Sequence, residues 1–165
     1  MNIEKLIEQV IPPNDYEHRN EFSNTHIVDS LNEHEKEMLE NALINKLLEH
    51  DDTLVIETLA YIKSEKALPL LYDYLKRCSN EMAKIISAVS IFQINNDSSM
   101  ISVAIDSFKQ IEINKDAYFK YKLAPAFHYL VKFNNSIVNN MIEKYTTHGE
   151  YLISYNAKKA LGYNL

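Results

Sequence analysis

The residue types able to do chemistry are scattered along this chain. The six histidines, His18, His26, His34, His50, His128 and His148, lack the His-x-x-x-His and Glu-x-x-His spacings that place two ligands on one helical face. His18 with Glu17 and Glu21, or His26 with Asp29, offers at most a weak, solvated cation site. The single cysteine, Cys78, follows Lys76-Arg77. Those charges favour a thiolate, but no histidine accompanies it, and a buried or incidental thiol is expected. Serines are numerous, yet no Gly-x-Ser-x-Gly elbow is present. Carboxylates are too many for one acid–base pair to stand out. These patterns yield no catalytic residue, no metal site and no cofactor, and the chain is expected to bind rather than to catalyse.

Three patterns suit binding. Glu33, Glu37 and Glu40 follow roughly i, i+4, i+7 and make an acidic stripe opposite Leu39 and Leu43. Tyrosine is abundant, eleven against six phenylalanines and no tryptophan, and its large ring with a polar tip suits interfaces. Tyr72 falls on an apolar stripe and is expected in the core. Tyr74 should then point away beside Asp73, so that Asp73, Tyr74 and Arg77 form a second contact group. The third pattern is Lys115, Lys120 and Lys122 interleaved with Tyr118, Phe119 and Tyr121. Cations with stacking rings can grip a nucleic-acid strand, and the same residues equally suit an amphipathic helix whose lysine stems cover apolar surface.

Charge decides between these uses. The net charge is −6, but residues 1–57 carry −10 and the remainder +4. An acidic front half disfavours nucleic acid, whose phosphates need Lys and Arg. It favours a basic partner, chiefly through association rate and orientation. The sequence pI is near 5.5.

The elements that must position these residues read as helices. A chain of 165 residues suits one domain with a core that needs no staples. Apolar residues at 46% and charged ones at 24% argue against disorder. One cysteine forbids an intrachain disulfide and points to a reducing, cytoplasmic setting. Two glycines disfavour phosphate loops, dinucleotide-binding turns and tight hairpins. Met1-Asn2-Ile3-Glu4-Lys5 is not expected to open a signal peptide, and no stretch of about 18 apolar residues suggests a membrane span.

Ile3, Leu6, Ile7 and Val10 predict a first helix halted by Pro12-Pro13. Residues 14–29 read as irregular, with Tyr16, Phe22, Ile27 and Val28 as docking points. Ser30 and Glu33 have capping-box spacing, and Leu39, Ala42, Leu43 and Leu47 carry the next helix to near His50. Asp51-Asp52-Thr53 starts another, which carries Val55, Ile56, Leu59, Ala60 and Ile62 and ends near Ser64. Pro69 fits the first turn of its successor. Further helices follow over about 82–94, 101–108, 118–131 and 137–145, with a polar break at 112–116 and a kink expected at Pro125. Thr147 and Glu150 offer a second capping box, and Gly162 closes the last helix.

Ile62-Lys63-Ser64 and Ile94-Asn95-Asn96 both end an apolar helix, 32 residues apart, and pair Leu59 with Ile91, Leu68 with Met100 and Leu71 with Val103. A third copy begins near Phe133-Asn134-Asn135 after an insertion around 112–122, and a truncated fourth spans 155–161. Such a period with paired helices signals stacked units that bury their apolar faces together. The expected fold is all-α, a short HEAT/armadillo-like α-solenoid of antiparallel helix pairs in one domain over 1–165. Residues 1–30 form an irregular cap, 31–111 the clearest repeats and 112–165 divergent C-terminal helices. In a solenoid the second helix of each pair lines the concave face, which would hold Asp73, Tyr74 and Arg77.

Leu59-Ala60-Tyr61-Ile62 followed by Ala67-Leu68-Pro69-Leu70-Leu71 resembles a HEAT repeat. Over about 31–110, the set Leu31, Glu35, Leu39, Leu43-Ile44, Leu47, Asp51-Asp52, Ile56-Glu57, Leu59, Ser64 and Ala67-Leu68-Pro69 resembles the small HEAT-like immunity proteins of bacterial polymorphic-toxin and contact-dependent growth-inhibition systems. The resemblance implies a cytoplasmic, non-enzymatic protein that binds and neutralises a cognate toxin domain by covering its active site or substrate surface. An acidic front half suits a toxin with a basic surface, such as a nuclease. Two other classes are weighed against it. One is a HEAT-repeat scaffold joining proteins. The other is a nucleic-acid module similar to HEAT-like DNA glycosylases, whose strongly basic groove usually carries tryptophan, which this chain lacks.

Overall fold

Asparagine and aspartate set most of the helix starts in this glycine-poor chain. The computed structural model describes residues 2–114 and 118–164, so Lys115 of the Lys/Tyr run lies outside the described residues. Among those described, every regular element is helical: α1 (Ile3–Val10), α2 (Tyr16–Arg19), α3 (Thr25–Asp29), α4 (Glu33–Glu49), α5 (Thr53–Tyr61), α6 (Leu68–Arg77), α7 (Glu81–Asn95), α8 (Ser99–Ile113), α9 (Phe119–Leu130), α10 (Ser136–Glu143) and α11 (Tyr151–Ala160). Short 3₁₀ turns at Glu65–Ala67 and Val131–Phe133 complete the set. Asn2, Asp15, Asp52, Asn80 and Asn135 each cap a helix through the side chain.

Several local expectations shift. The capping box opening α4 is Asn32 with Glu35, not Ser30 with Glu33. Asn32 Oδ1 accepts from Glu35 N and Glu35 Oε2 accepts from Asn32 N, both at 3.0 Å, whereas the Ser30 hydroxyl donates back to Ile27 O and closes α3. Thr147 caps nothing: Glu150 precedes α11, and its N–H donates to His148 Nδ1 instead. Residues 14–29 contain two short helices, and Val28 is fully buried. α9 runs unbroken through Pro125. Helix ends use left-handed residues other than glycine at Lys63, Asn96 and Asn134, with Gly162 at the last. At Lys63 the turn is complete: Lys63 N donates to Ala60 O, Ser64 N to Leu59 O, and the lysine ammonium reaches Gln93 O on α7.

The tyrosines of α6 exchange the places expected of them. Tyr74 is only 4% exposed, and Tyr72 is half-buried with its hydroxyl donating to Asp97. The buried residues Ala67, Leu71 and Tyr74 follow i, i+4, i+7, while Leu68, Tyr72 and Leu75, one position further around the helix, are partly buried. The expected 32-residue spacing shifts for the same reason. Before the turn, Leu59 and Ile91 correspond at 32 residues. After it, Ala67 with Met100, Leu71 with Ala104 and Tyr74 with Ser107 correspond at 33, all of them buried.

One continuous core runs from Leu6 to Ala157. α7 packs on α5, α6, α8 and α9; α9 packs on α8, α10 and α11; α4 packs on α1 and α5. Lys66 pairs with Glu40, and Arg77 pairs with Asp51, both links joining residues 26 apart. α6 therefore lies beside α4 in the same direction. Aromatic contacts tie in the C-terminal helices: Phe92 meets Phe133 edge-on at 5.0 Å, and Phe108, Phe127 and Tyr145 form a trio within 5.8 Å.

The N-terminal segment is clamped by one ion pair. Arg19 meets Asp52 through two hydrogen bonds of 2.7 Å and donates twice more to Pro12 O. Asp52 also caps α5. Burial pushes the Asp52 carboxyl up, but the Arg19 hydrogen bonds and charge outweigh it and hold the group below its ordinary value. A carboxyl lowered in this way stabilises the fold above its unfolded pKa and loses that contribution as pH falls through the folded one. Asp52→Asn should cost about 3 kcal/mol at pH 7, since it leaves a half-buried guanidinium uncompensated. In urea unfolding between pH 7 and pH 3, the two stability curves should converge below about pH 4. Curves that stay parallel would show the pair to be inert.

Candidate docking site

Glu33, Glu37 and Glu40 come together as the wall of one cleft. The hollow measures about 570 Å³ and is lined by these three, by Asp29 and Val28 at the end of α3, by Lys36, and by Tyr61 and Ile62 at the end of α5. The geometry follows from α4, whose face opposite Leu39 and Leu43 turns outward while those leucines are fully buried. Exposure falls steeply along the stripe: the Glu33 side chain is 95% exposed, and that of Glu40 15%. In the sequence Asp29 is weighed only as a cation ligand with His26, and Tyr61 only as part of the repeat motif; neither is marked for docking. Tyr61 Oη donates to Asp29 Oδ1 at 2.7 Å, a bond that raises the tyrosine's pKa and fixes its ring at the cleft's edge.

The cleft is acidic but not unpaired. Lys66 reaches Glu40 at 3.0 Å and Glu37 at 3.7 Å, and Lys36 reaches Glu33 at 3.4 Å. The Glu40 hydrogen bond and charge raise Lys66 above its usual value. The exposed pairs Lys36–Glu33 and Lys66–Glu37 contribute little to stability. An incoming cation can therefore replace Lys36 or Lys66 at small cost, and the four carboxylates Asp29, Glu33, Glu37 and Glu40 present a surface suited to Lys and Arg side chains.

Asp73, Tyr74 and Arg77 lie apart from this cleft. Asp73 and Arg77 line a second hollow of about 450 Å³ with Leu48, Glu49, His50, Asp51 and Leu70. Arg77 is held there by Asp51 at 2.8 Å and stands over the Tyr74 ring at 5.0 Å. The Tyr74 ring is in the core, so its partner-contact role is corrected: it supports Arg77 from beneath. Burial first, then the neighbouring Cys78, pushes the Tyr74 hydroxyl well above its usual range. Cys78 Sγ lies 3.8 Å from Tyr74 Oη.

In the Lys/Tyr run, Lys120 is paired with Glu150 at 3.5 Å and lies over the Tyr121 ring. Of the histidines weighed as ligands, His18 Nδ1 bonds Asp15 at 2.8 Å. Among the described residues no three His, Cys, Asp or Glu side chains gather as a metal site, and no helix is long and apolar enough to cross a membrane.

No family model, curated protein or solved structure matches the chain. The acidic cleft must therefore be read from its own chemistry.

A polar pocket adjoins it. Glu57, the one charged residue of α5, accepts from Tyr129 Oη at 3.0 Å. Burial raises the Glu57 carboxyl above its ordinary range, against the pull of that hydrogen bond and of Lys132. A lone carboxylate among Val55, Ile56, Leu59 and Ala60 is the sequence signal that could have found it.

Because Glu33 and Glu37 are exposed, neutralising them should leave the fold intact. The double substitution Glu33→Gln, Glu37→Gln should change the unfolding free energy by less than about 0.5 kcal/mol. A loss several times larger in urea denaturation would make these residues structural rather than available to a partner.

Proposed function

We propose that this protein is an immunity protein that binds a cognate bacterial toxin domain of basic surface and covers its active site or substrate surface. The observation that carries the reading is the gathering of Asp29, Glu33, Glu37 and Glu40 around one cleft with Tyr61 at its rim. The cleft supplies what docking to a basic surface requires: carboxylates that steer encounter, an aromatic ring at the edge and a rigid helical support. It is a binding module of the cytoplasm, with no catalytic residue assigned to it.

We read the architecture behind the cleft as a short HEAT-like solenoid. Two features support this. α5, α7, α9 and α11 follow one another in successive contact, and α6 lies beside α4 in the same direction. The left-handed turns at Lys63, Asn96 and Asn134 recur at the ends of the units. In such a stack each unit rests on its neighbours and the surface is preformed.

Affinity capture with the tagged protein from lysate of its native cell, at low and high salt, tests the function. The expected result is one stoichiometric partner, retained at high salt, that is toxic when expressed alone and harmless when co-expressed with this protein. Triple charge reversal of Glu33, Glu37 and Glu40 should slow its association about tenfold and flatten the salt dependence. A diffuse set of weak partners, or nucleic acid released by salt, would contradict the reading. Unchanged kinetics would remove these three residues from the interface.

A further inference from the structure

A polar pocket lies beside the cleft. It measures about 210 Å³, on the order of seven waters' worth of space. α5 contributes Glu57, Thr58 and Tyr61, α7 contributes Ser90 and Gln93, and Tyr129 and Lys132 close the far side. Residues 22–25 cover it, fixed by Asn24, whose amide donates to Val10 O at 3.0 Å and to Thr58 Oγ1 at 2.8 Å. Tyr61 lines both this pocket and the acidic cleft, so the two are neighbours with the Tyr61 ring between them.

Two of its polar groups have unused capacity. Ser90 is 2% exposed, yet its hydroxyl makes no hydrogen bond to any described residue. Its helical neighbour Ser87, by contrast, donates to Ala83 O. The Ser90 oxygen borders the pocket and is open to whatever enters it, so it offers a hydrogen-bonding atom there. Glu57 has one carboxylate oxygen engaged by Tyr129 and the other available. Lys132 stands over the Tyr129 ring at 4.7 Å, and its charge also acts on Glu57.

We propose that this pocket receives an arginine side chain of the basic partner, its guanidinium meeting Glu57 and Ser90. The proposal rests on the docking reading of the adjoining cleft and names that interface's central anchor. Guanidinium fits better than ammonium. Its planar fork offers five donors to separate acceptors, and arginine is enriched where interfaces concentrate their affinity in a desolvated pocket. The acidic cleft would steer the partner in, and the pocket would hold it.

The test needs no partner. The full-length protein is titrated by NMR with a blocked Gly-Arg-Gly tripeptide, with its lysine and citrulline counterparts, and with free arginine. The arginine tripeptide should give saturable shifts at Glu57, Ser90 and Tyr129. The citrulline peptide should give none, and the lysine peptide should bind more weakly. Glu57→Gln should weaken binding about tenfold or more while keeping an acceptor for Tyr129. Ser90→Ala, which removes only the hydroxyl, should weaken it about threefold and serves if Glu57→Gln does not fold. No saturable response to the arginine tripeptide would overturn the proposal. Equal responses to citrulline or lysine would also do so, and binding of free arginine alone would assign the pocket to a small metabolite instead. Capture of a toxin combined with no arginine response would leave the acidic cleft standing and remove the pocket from the interface.

Discussion

Helix α7 has almost no polar side to give to water. Ala83, Ile85, Ile86, Ala88, Val89, Ile91 and Ile94 are buried around its circumference, with Ser87 and Ser90 among them. Each large aliphatic side chain gains about 1.5–3 kcal/mol from burial, so the helix is stable only when surrounded. α5, α6, α8 and α9 surround it. That constraint fixes where α5 must lie, and α5 in turn carries both Tyr61 at the rim of the acidic cleft and Glu57 in the adjoining pocket. The candidate site is a by-product of how the helix with the most buried residues is enclosed.

The second determinant is electrostatic and long-range in sequence. Arg19 and Asp52 are 33 residues apart, and their two short hydrogen bonds pull the N-terminal segment down over the start of α5. Asn24 adds a buried link to Val10 and Thr58. A charge pair of this kind is a weak source of stability compared with apolar packing, but breaking it is costly. It therefore acts mainly to specify one placement of residues 12–25, and that placement forms the lid of the polar pocket. The segment that reads as irregular is held by polar contacts rather than by an apolar stripe.

Much of the helical order was legible because its signals are local. Leu39, Leu43 and Leu47 repeat every four residues and are all fully buried in α4, and Asp52, Asn80 and Asn135 cap the helices they precede. The acidic stripe was legible for the same reason, since Glu33, Glu37 and Glu40 share one helix. The errors have equally local causes. Ser30 and Asn32 are both competent caps two residues apart, and the choice falls to Asn32 because Glu35 completes its box. Tyr72 and Tyr74 differ by about 200° around α6, and a one-position error in the stripe exchanges core for surface. The polar pocket was not legible as a unit. It draws on residues 22–25, 54–61, 89–93 and 129–132, which no spacing rule connects, although the charge of Glu57 amid apolar neighbours marked one wall.

The central claim is that the face formed by α4, the end of α3 and the end of α5 is where a basic protein docks. Hydrogen–deuterium exchange of the protein, free and bound to the captured toxin, tests this most directly. The account predicts the strongest added protection over residues 29–40 and 61–62. Protection confined to the Asp73–Arg77 hollow or to residues 118–122, with none along α4, would contradict it.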